Sequence, residues 1–278
     1  MSGKDRYAVF GNPIKHSKSP DIHARFAQQC SQTMIYRAVR IEPDGFVTAA
    51  TQFFAGGGAG LNVTVPFKRE AFEFADRLSE RASRAGAVNT LTRAEDGAIE
   101  GNNTDGIGLV RDLIANLGWT VQGLRVLLLG AGGAARGVLE PLLQEKPQEL
   151  LVVNRTGARA EQLAVEFADI GPLAGGAYEL IGARQFDLVI NATSAGLSGA
   201  VPDLPGSLLT ERSCCYDMVY GAEPTPFMRW SAHHAAWAVS DGLGMLVEQA
   251  AESFYIWRGA RPDTGPVINQ LREAMDAA

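Results

Sequence analysis

Gly130-Ala-Gly132-Gly-Ala-Ala135 follows the apolar run Val126-Leu-Leu-Leu, giving the order strand, glycines, helix that brings a backbone up to a pyrophosphate. In this GxGxxA form Gly130 permits a sharp turn, Gly132 admits the phosphates, and Ala135 keeps the helix close to the sheet. The glycines alone fit an unliganded strand-to-helix turn as well. The end of the second strand discriminates. A site for an unphosphorylated ribose usually places an acid there, whereas this chain reads Asn154-Arg155-Thr156, with Arg159 one turn further on. An acid would repel a 2′-phosphate. Arg155 and Arg159 would hold one by charge-assisted hydrogen bonds, so NADP(H) is expected in preference to NAD(H). The alternative is that both arginines are solvated helix-surface residues.

A second polar set lies earlier in the chain: Ser17, Ser19, Thr64, Lys68, Asn89 and Asp105. Each has an ordinary explanation, Ser19 and Asp105 as helix caps, Thr64 as a strand former, Lys68 as a solvated first-turn residue and Asn89 as a turn residue. Lys68 is the most telling, because the helix dipole opposes a cation at a helix start unless it has an anionic partner. Asp105 is the candidate. Two further sheet edges carry polar or small residues where ligands collect, Asn191-Ala-Thr-Ser194-Ala-Gly196 and Asp217-Met218-Val-Tyr220. Met218 there reads equally as a nicotinamide contact or as a packed side chain.

Alternating strand and helix patterns must position these residues. Strands are expected at 6–10, 34–41 and 60–65, with helices at 19–28 (Ser19 as cap), at 43–54 and from Pro66. This βαβαβ order implies a largely parallel sheet, and Gly56-Gly57-Gly58 reads as a flexible connection. A hairpin at 88–101 turns on Asp96-Gly97, and a helix over 106–117 leads to the next domain. The pattern then restarts, with strands at 125–129, 149–153, 186–191 and 214–217 and helices at 132–144 and 156–167. Two helices close the chain, one to about Arg258 and one from Pro266.

Composition narrows the function class. The 278 residues are 46% apolar and 20% charged, an ordinary globular balance, and the net charge of −6 without basic runs argues against nucleic acid or a membrane surface. No leader-like stretch opens the chain, and no run nears the roughly 18 apolar residues of a span, so a cytoplasmic protein is expected. Cys30, Cys214 and Cys215 lack metal-ligand spacing and read as reduced and structural, with no metal site.

The ordered motifs Ser17-Lys-Ser19-Pro, Asn62-Val-Thr-Val-Pro-Phe-Lys68, Gly86-Ala-Val-Asn89-Thr, Asn103-Thr-Asp105-Gly, the glycine loop, Asn154-Arg-Thr, Asn191-Ala-Thr-Ser and Asp241-Gly-Leu-Gly-Met-Leu-Val-Glu-Gln249-Ala together resemble the shikimate/quinate dehydrogenase family across the whole chain. The resemblance implies a two-domain α/β fold: an N-terminal α/β substrate domain, residues 1–105 with 240–278, and a Rossmann-like doubly wound NADP-binding domain, residues 106–239. It implies NADPH-dependent reduction of 3-dehydroshikimate to shikimate, with Lys68 and Asp105 catalytic. Ser17, Ser19, Thr64, Lys68, Asn89, Asp105, Tyr220 and Gln249 would bind the ring hydroxyls and carboxylate. Gly130, Ala131, Gly132, Gly133, Ala134, Asn154, Arg155, Thr156, Arg159, Met218 and Gly242 would bind the cofactor; Glu80 joins them without a motif to anchor it. The expected partners are small molecules, with a homodimer as the assembly allowed for. Competing readings are a dual quinate/shikimate enzyme, a methylene-tetrahydrofolate dehydrogenase and a non-catalytic NADP-binding regulator. The last would have lost Lys68 or Asp105, and this chain keeps both. Departures from the family pattern are small: the Gly56–Gly58 run, and Gly137 inside the first cofactor helix, which costs about 1 kcal/mol against alanine.

Overall fold

The computed structural model describes residues 5–193 and 204–277, so Ser194 and Gly196 of the expected sheet edge lie outside the described residues. Contacts divide the chain into two compact units, Met1–Gly108 with Val247–Val267, and Leu109–Leu246 with Ile268–Ala278. These bounds differ from the expected 1–105 with 240–278 and 106–239. The divisions fall inside helices, and the last helix joins the second unit, where Arg272 bonds Asp241 and Gly221.

The first unit runs β1 (Asp5–Gly11), α1 (Ser19–Gln29), β2 (Met34–Arg40), α2 (Phe46–Ala55), β3 (Gly58–Val63), α3 (Lys68–Phe74), β4 (Arg77–Leu78), α4 (Glu80–Ala85), β5 (Thr90–Arg93), β6 (Ile99–Asn102) and the start of α5 (Asp105–Arg111). Its sheet has the order β2-β1-β3-β5-β6-β4. β1 pairs in parallel with β2 and β3, as βαβ connections require, whereas β5 is antiparallel to both β3 and β6. The strands of the βαβαβ run are parallel as expected and β4 joins β6 in parallel, while the hairpin turning at Gly97 (φ +87°) brings in the antiparallel strand β5, so the sheet as a whole is mixed. Phe10, Phe46, Leu61, Phe67 and Leu91 are buried in its core. The Gly56–Gly58 run is less of a loop than expected, since β3 already begins at Gly58. At Gly60 the missing side chain makes room for the Trp257 indole, whose Nε1–H donates to the Leu91 carbonyl at 3.1 Å.

The second unit contains β7 (Arg125–Leu129), α6 (Gly133–Gln144), β8 (Glu149–Val153), α7 (Gly157–Glu166), β9 (Leu173–Gly176), β10 (Phe186–Asn191), β11 (Leu209–Asp217), α8 (Pro226–His233) and β12 (Ala238–Ser240). The helices α9 (Leu243–Arg258) and α10 (Gly265–Asp276) follow. Its sheet is parallel throughout, in the doubly wound order β12-β11-β10-β7-β8-β9, with the topological switch point between β7 and β10. The continuous apolar run of β7 is explained by burial of both faces: Val126 and Leu128 join one core cluster, Leu127 and Leu129 the other. The helix expected over 106–117 is α5 followed by a π-helical turn, Asp112–Asn116. Cys30, Cys214 and Cys215 are all free thiols, and burial pushes Cys215 up to about 12. No helix among the described residues is long and apolar enough to cross a membrane.

Candidate active site

Lys68 is the first residue of α3, where the helix dipole disfavours a cation, and Asp105 is the first residue of α5. The two meet: Lys68 Nζ lies 2.5 Å from Asp105 Oδ2. The side chains are 31% and 15% exposed, so the pair is shielded on its flanks yet open to a ligand. Asp105 is not a cap, as its ordinary explanation held; its own N–H is accepted by Asn103 Oδ1 at 3.1 Å, leaving the carboxylate free for Lys68. The Lys68 carbonyl accepts the Val88 N–H at 2.9 Å, which fixes the backbone beneath the ammonium.

Asn89 holds the other carboxylate oxygen, Nδ2 donating to Asp105 Oδ1 at 2.8 Å, to Thr104 Oγ1 at 2.9 Å and to Gln249 Oε1 at 3.3 Å. Its Oδ1 accepts from the Thr104 N–H and from Thr90 Oγ1, both at 2.9 Å. Asn62 extends the network, its amide donating to the Asn89 carbonyl, Thr90 Oγ1 and Ser253 Oγ. Tyr36 OH in turn donates to Asn62 Oδ1 at 2.7 Å. Asn62, Asn89, Thr90, Thr104 and Ser253 are buried, so each of these partners fixes the next. Sequence reasoning missed Tyr36, Thr90, Thr104 and Ser253. Ser253 carried one available signal, its i+4 spacing from Gln249 on α9, which puts both on one helix face.

The remaining expected substrate contacts of this unit are half-buried at strand and helix ends. Ser19 is not the cap of α1 but its first residue, and its N–H is accepted by Ser17 Oγ at 3.3 Å. The Ser19 hydroxyl also reaches Tyr36, whose phenol burial pushes well up, against the pull of that bond. Thr64 follows β3, its N–H donating to the Phe10 carbonyl at 2.9 Å. Its methyl occupies the space that a Cβ on Gly11 would need. His23 is fully buried behind Tyr36, stacked on it at 4.2 Å, and burial pushes its imidazole down to about 3 against a smaller opposing effect of Asn62. Glu80 stands exposed at the first turn of α4, in this unit.

In the second unit Gly130 ends β7 with φ +104°, a conformation that L side chains rarely adopt, and its N–H donates to the Val153 carbonyl at 2.7 Å. Gly132, Gly133 and Ala134 are exposed, and a Cβ on either glycine would meet open space. A phosphate-sized group can therefore reach the N-terminal amides of α6. A pocket of about 430 Å³ opens there, lined by Gly132, Gly133, Arg136, Arg159 and Gln162 among others. Arg155 and Thr156 are exposed at the end of β8, and Asn154 Nδ2 donates to the Thr156 carbonyl at 3.0 Å. The residues that follow β8, Asn154-Arg155-Thr156, include no acid. Arg136 was also missed; it pairs with Glu166, whose carboxyl is held below its ordinary value by bonds from Gln162 and Arg136. The residues present thus fit a phosphorylated dinucleotide.

Met218 and Tyr220 follow β11 and are half-buried; Gly242 follows β12 and is buried. The Gly242 N–H donates to the Val219 carbonyl at 3.2 Å, and a Cβ on Gly242 would strike the Met218 backbone. Beneath them Asp217 Oδ1 accepts from Asn191 Nδ2 and the Val219 N–H, and Oδ2 from Thr225 Oγ1.

Comparison with known proteins gives a consistent set of matches. The family model for the shikimate dehydrogenase substrate binding domain matches residues 9–91, that for shikimate / quinate 5-dehydrogenase residues 113–198, and that for the shikimate 5'-dehydrogenase C-terminal domain residues 242–272. The chain is 58% identical to a shikimate dehydrogenase (NADP(+)) of Alkalilimnicola ehrlichii, over 96% of this chain and 98% of that protein. It is 54% identical to one of Saccharophagus degradans, over 97% and 99%. Among solved structures, shikimate 5-dehydrogenase from Thermus thermophilus in complex with NADP(H) and shikimate superimposes with a TM-score of 0.86 at 34% identity, covering 97% of this chain and 99% of that one.

Proposed function

Because the chain belongs to the shikimate dehydrogenase family, we propose that it catalyses the reversible NADPH-dependent reduction of 3-dehydroshikimate to shikimate, a step of aromatic amino acid biosynthesis. The observation that carries the reading is the Lys68–Asp105 pair at 2.5 Å, with Asn89 on the second carboxylate oxygen. Bound NADPH supplies the hydride for the C3 carbon. As negative charge gathers on the ketone oxygen, the Lys68 ammonium stabilises it and gives up a proton to it. In the reverse direction neutral Lys68 Nζ takes the proton of the alcohol. Asp105 orients the lysine and the hydroxyl, and Asn89 fixes Asp105.

Ser17, Ser19, Thr64, Asn89, Tyr220 and Gln249 are assigned to the remaining hydroxyls and the carboxylate of the ring. A polyhydroxylated anion explains this concentration of hydroxyl and amide groups, because a site built to bond hydroxyls rejects analogues that leave its polar groups unpaired. On the cofactor side, the amides at Gly132 and Gly133 would hold the pyrophosphate, and Arg155 and Arg159 the 2′-phosphate. Met218 and Gly242 are assigned to the nicotinamide side, and Glu80 remains the weakest cofactor assignment. A cytoplasmic enzyme goes with this reading, and the homodimer allowed for as its assembly is decided by light scattering.

The test is reduction of NADP+ by the purified chain with shikimate, with quinate and NAD+ as controls. Shikimate-dependent NADPH formation, with quinate and NAD+ each turned over far more slowly, is the expected result. Equal use of quinate would make the enzyme a dual dehydrogenase, and no turnover of shikimate would remove the reading.

A further inference from the structure

Arg272, near the end of α10, has no part in the site described above. Its guanidinium donates to Asp241 Oδ1 at 2.6 Å and to the Gly221 carbonyl at 2.9 Å. These acceptors lie beyond adjacent strands of one sheet, Gly221 directly after Tyr220 beyond β11, and Asp241 directly before Gly242 beyond β12. Asp241 is 6% exposed, and the same Oδ1 accepts the Leu243 N–H at 3.2 Å, which opens α9. The charge of Asp241 also bears on Tyr216, Asp217 and Tyr220. A buried carboxylate in such company needs a cation, and Arg272 supplies it while bridging the two turns.

We propose that Arg272 is a positioning residue for hydride transfer: by holding Asp241 and the Gly221 carbonyl together it fixes the two turns that carry the nicotinamide-side residues Met218 and Gly242 and the ring-binding residue Tyr220. The proposal rests on the roles given to those three residues under the proposed function. Arg272 bonds the turns after β11 and β12, and the glycine turn follows β7 and Arg155 follows β8, so its effect falls on hydride transfer and spares the hold on the adenosine phosphate. A guanidinium suits the place because it reaches two acceptors at once, which an ammonium does with less geometric control.

The test uses the full chain with Arg272→Gln, Arg272→Lys and the charge-balanced double variant Asp241→Asn/Arg272→Gln. The readouts are kcat, the isotope effect with NADPH deuterated at the transferred position, and the Kd of 2′,5′-ADP as a probe of the adenosine end alone. Arg272→Gln is expected to lower kcat by ten- to a hundredfold and raise the isotope effect, with 2′,5′-ADP binding within twofold of wild type. Arg272→Lys is expected to recover at least half of that loss on a logarithmic scale. The double variant guards against unfolding from an unpaired Asp241, and is expected to keep the kcat defect without adding to it. Wild-type kcat in the double variant, or parallel loss of kcat and 2′,5′-ADP binding in all three, would overturn the proposal. Failure of the underlying function is distinct, because wild type itself would then not turn over shikimate.

Discussion

Replacing Asn89 with alanine removes a side chain that binds both Asp105 and Thr104 in the turn before it. Asn89 is 2% exposed, and its loss strips the buried Thr104 N–H of its 2.9 Å acceptor and Asp105 Oδ1 of its 2.8 Å donor. An unsatisfied buried donor costs about 1–3 kcal/mol, and a hydrogen bond to a charged group contributes about 1.5–3 kcal/mol. Asn89→Ala should therefore lower stability by about 3 kcal/mol. The part due to Asp105 is isolated by a double-mutant cycle with Asp105→Asn, in which the coupling energy should be about 1.5 kcal/mol. Urea unfolding of the four proteins measures both quantities. Steady-state oxidation of shikimate should show kcat falling at least thirtyfold in Asn89→Ala, since Lys68 would then face a carboxylate no longer fixed in place. A stability loss under about 0.5 kcal/mol, together with coupling indistinguishable from zero, would refute the network as the device that positions Asp105.

Two further outcomes follow from other parts of the molecule. Arg155→Ala should raise the KM for NADPH by about ten- to a hundredfold, the worth of a charge-assisted bond to phosphate, and leave that for NADH within about threefold; equal losses would sink the 2′-phosphate assignment. His23, held down at about 3 against an ordinary 6.5, is protonated in the unfolded chain but not in the folded one between those values. The unfolded state thus binds more protons there, so the histidine's effect on stability is nil above pH 6.5 and increasingly unfavourable as pH falls towards 3. Between pH 7 and 5 this amounts to about 2 kcal/mol. His23→Phe should lose that part of the acid sensitivity; urea midpoints at the two pH values check it, and an unchanged difference would show that the imidazole is not buried neutral.

How much of this was legible in the sequence depends on where each signal lives. The glycine turn and Arg155 were readable because strand, turn and helix are contiguous and the turn needs specific residue types. The apolar strands β7 and β8 were equally clear, since burial of both faces leaves no polar position after Arg125 and Glu149 at their starts. β9 was not, because Leu173-Ala-Gly-Gly176 lacks β-branched residues; Gly175 is there for close approach to the Ala160 backbone, a tertiary reason invisible locally. The mixed first sheet shows the same limit: the hairpin was legible, its insertion beside β3 was not. Lys68 announced itself by opposing a helix dipole, and its partner was inferred correctly. The network behind them escaped, because Thr90, Thr104 and Ser253 are ordinary residues until α9 and the β5–β6 hairpin bring their hydroxyls together. Arg272 gave no signal either, as a lone arginine on an amphipathic helix reads as solvated surface.

Lys68 as the acid/base is the centre of the proposed reaction. Turnover of shikimate by Lys68→Ala, measured beside NADPH affinity in the same protein, tests it. The expected result is a kcat lower by about 10²–10⁴ with the NADPH Kd within twofold of wild type. A kcat within threefold of wild type would contradict it.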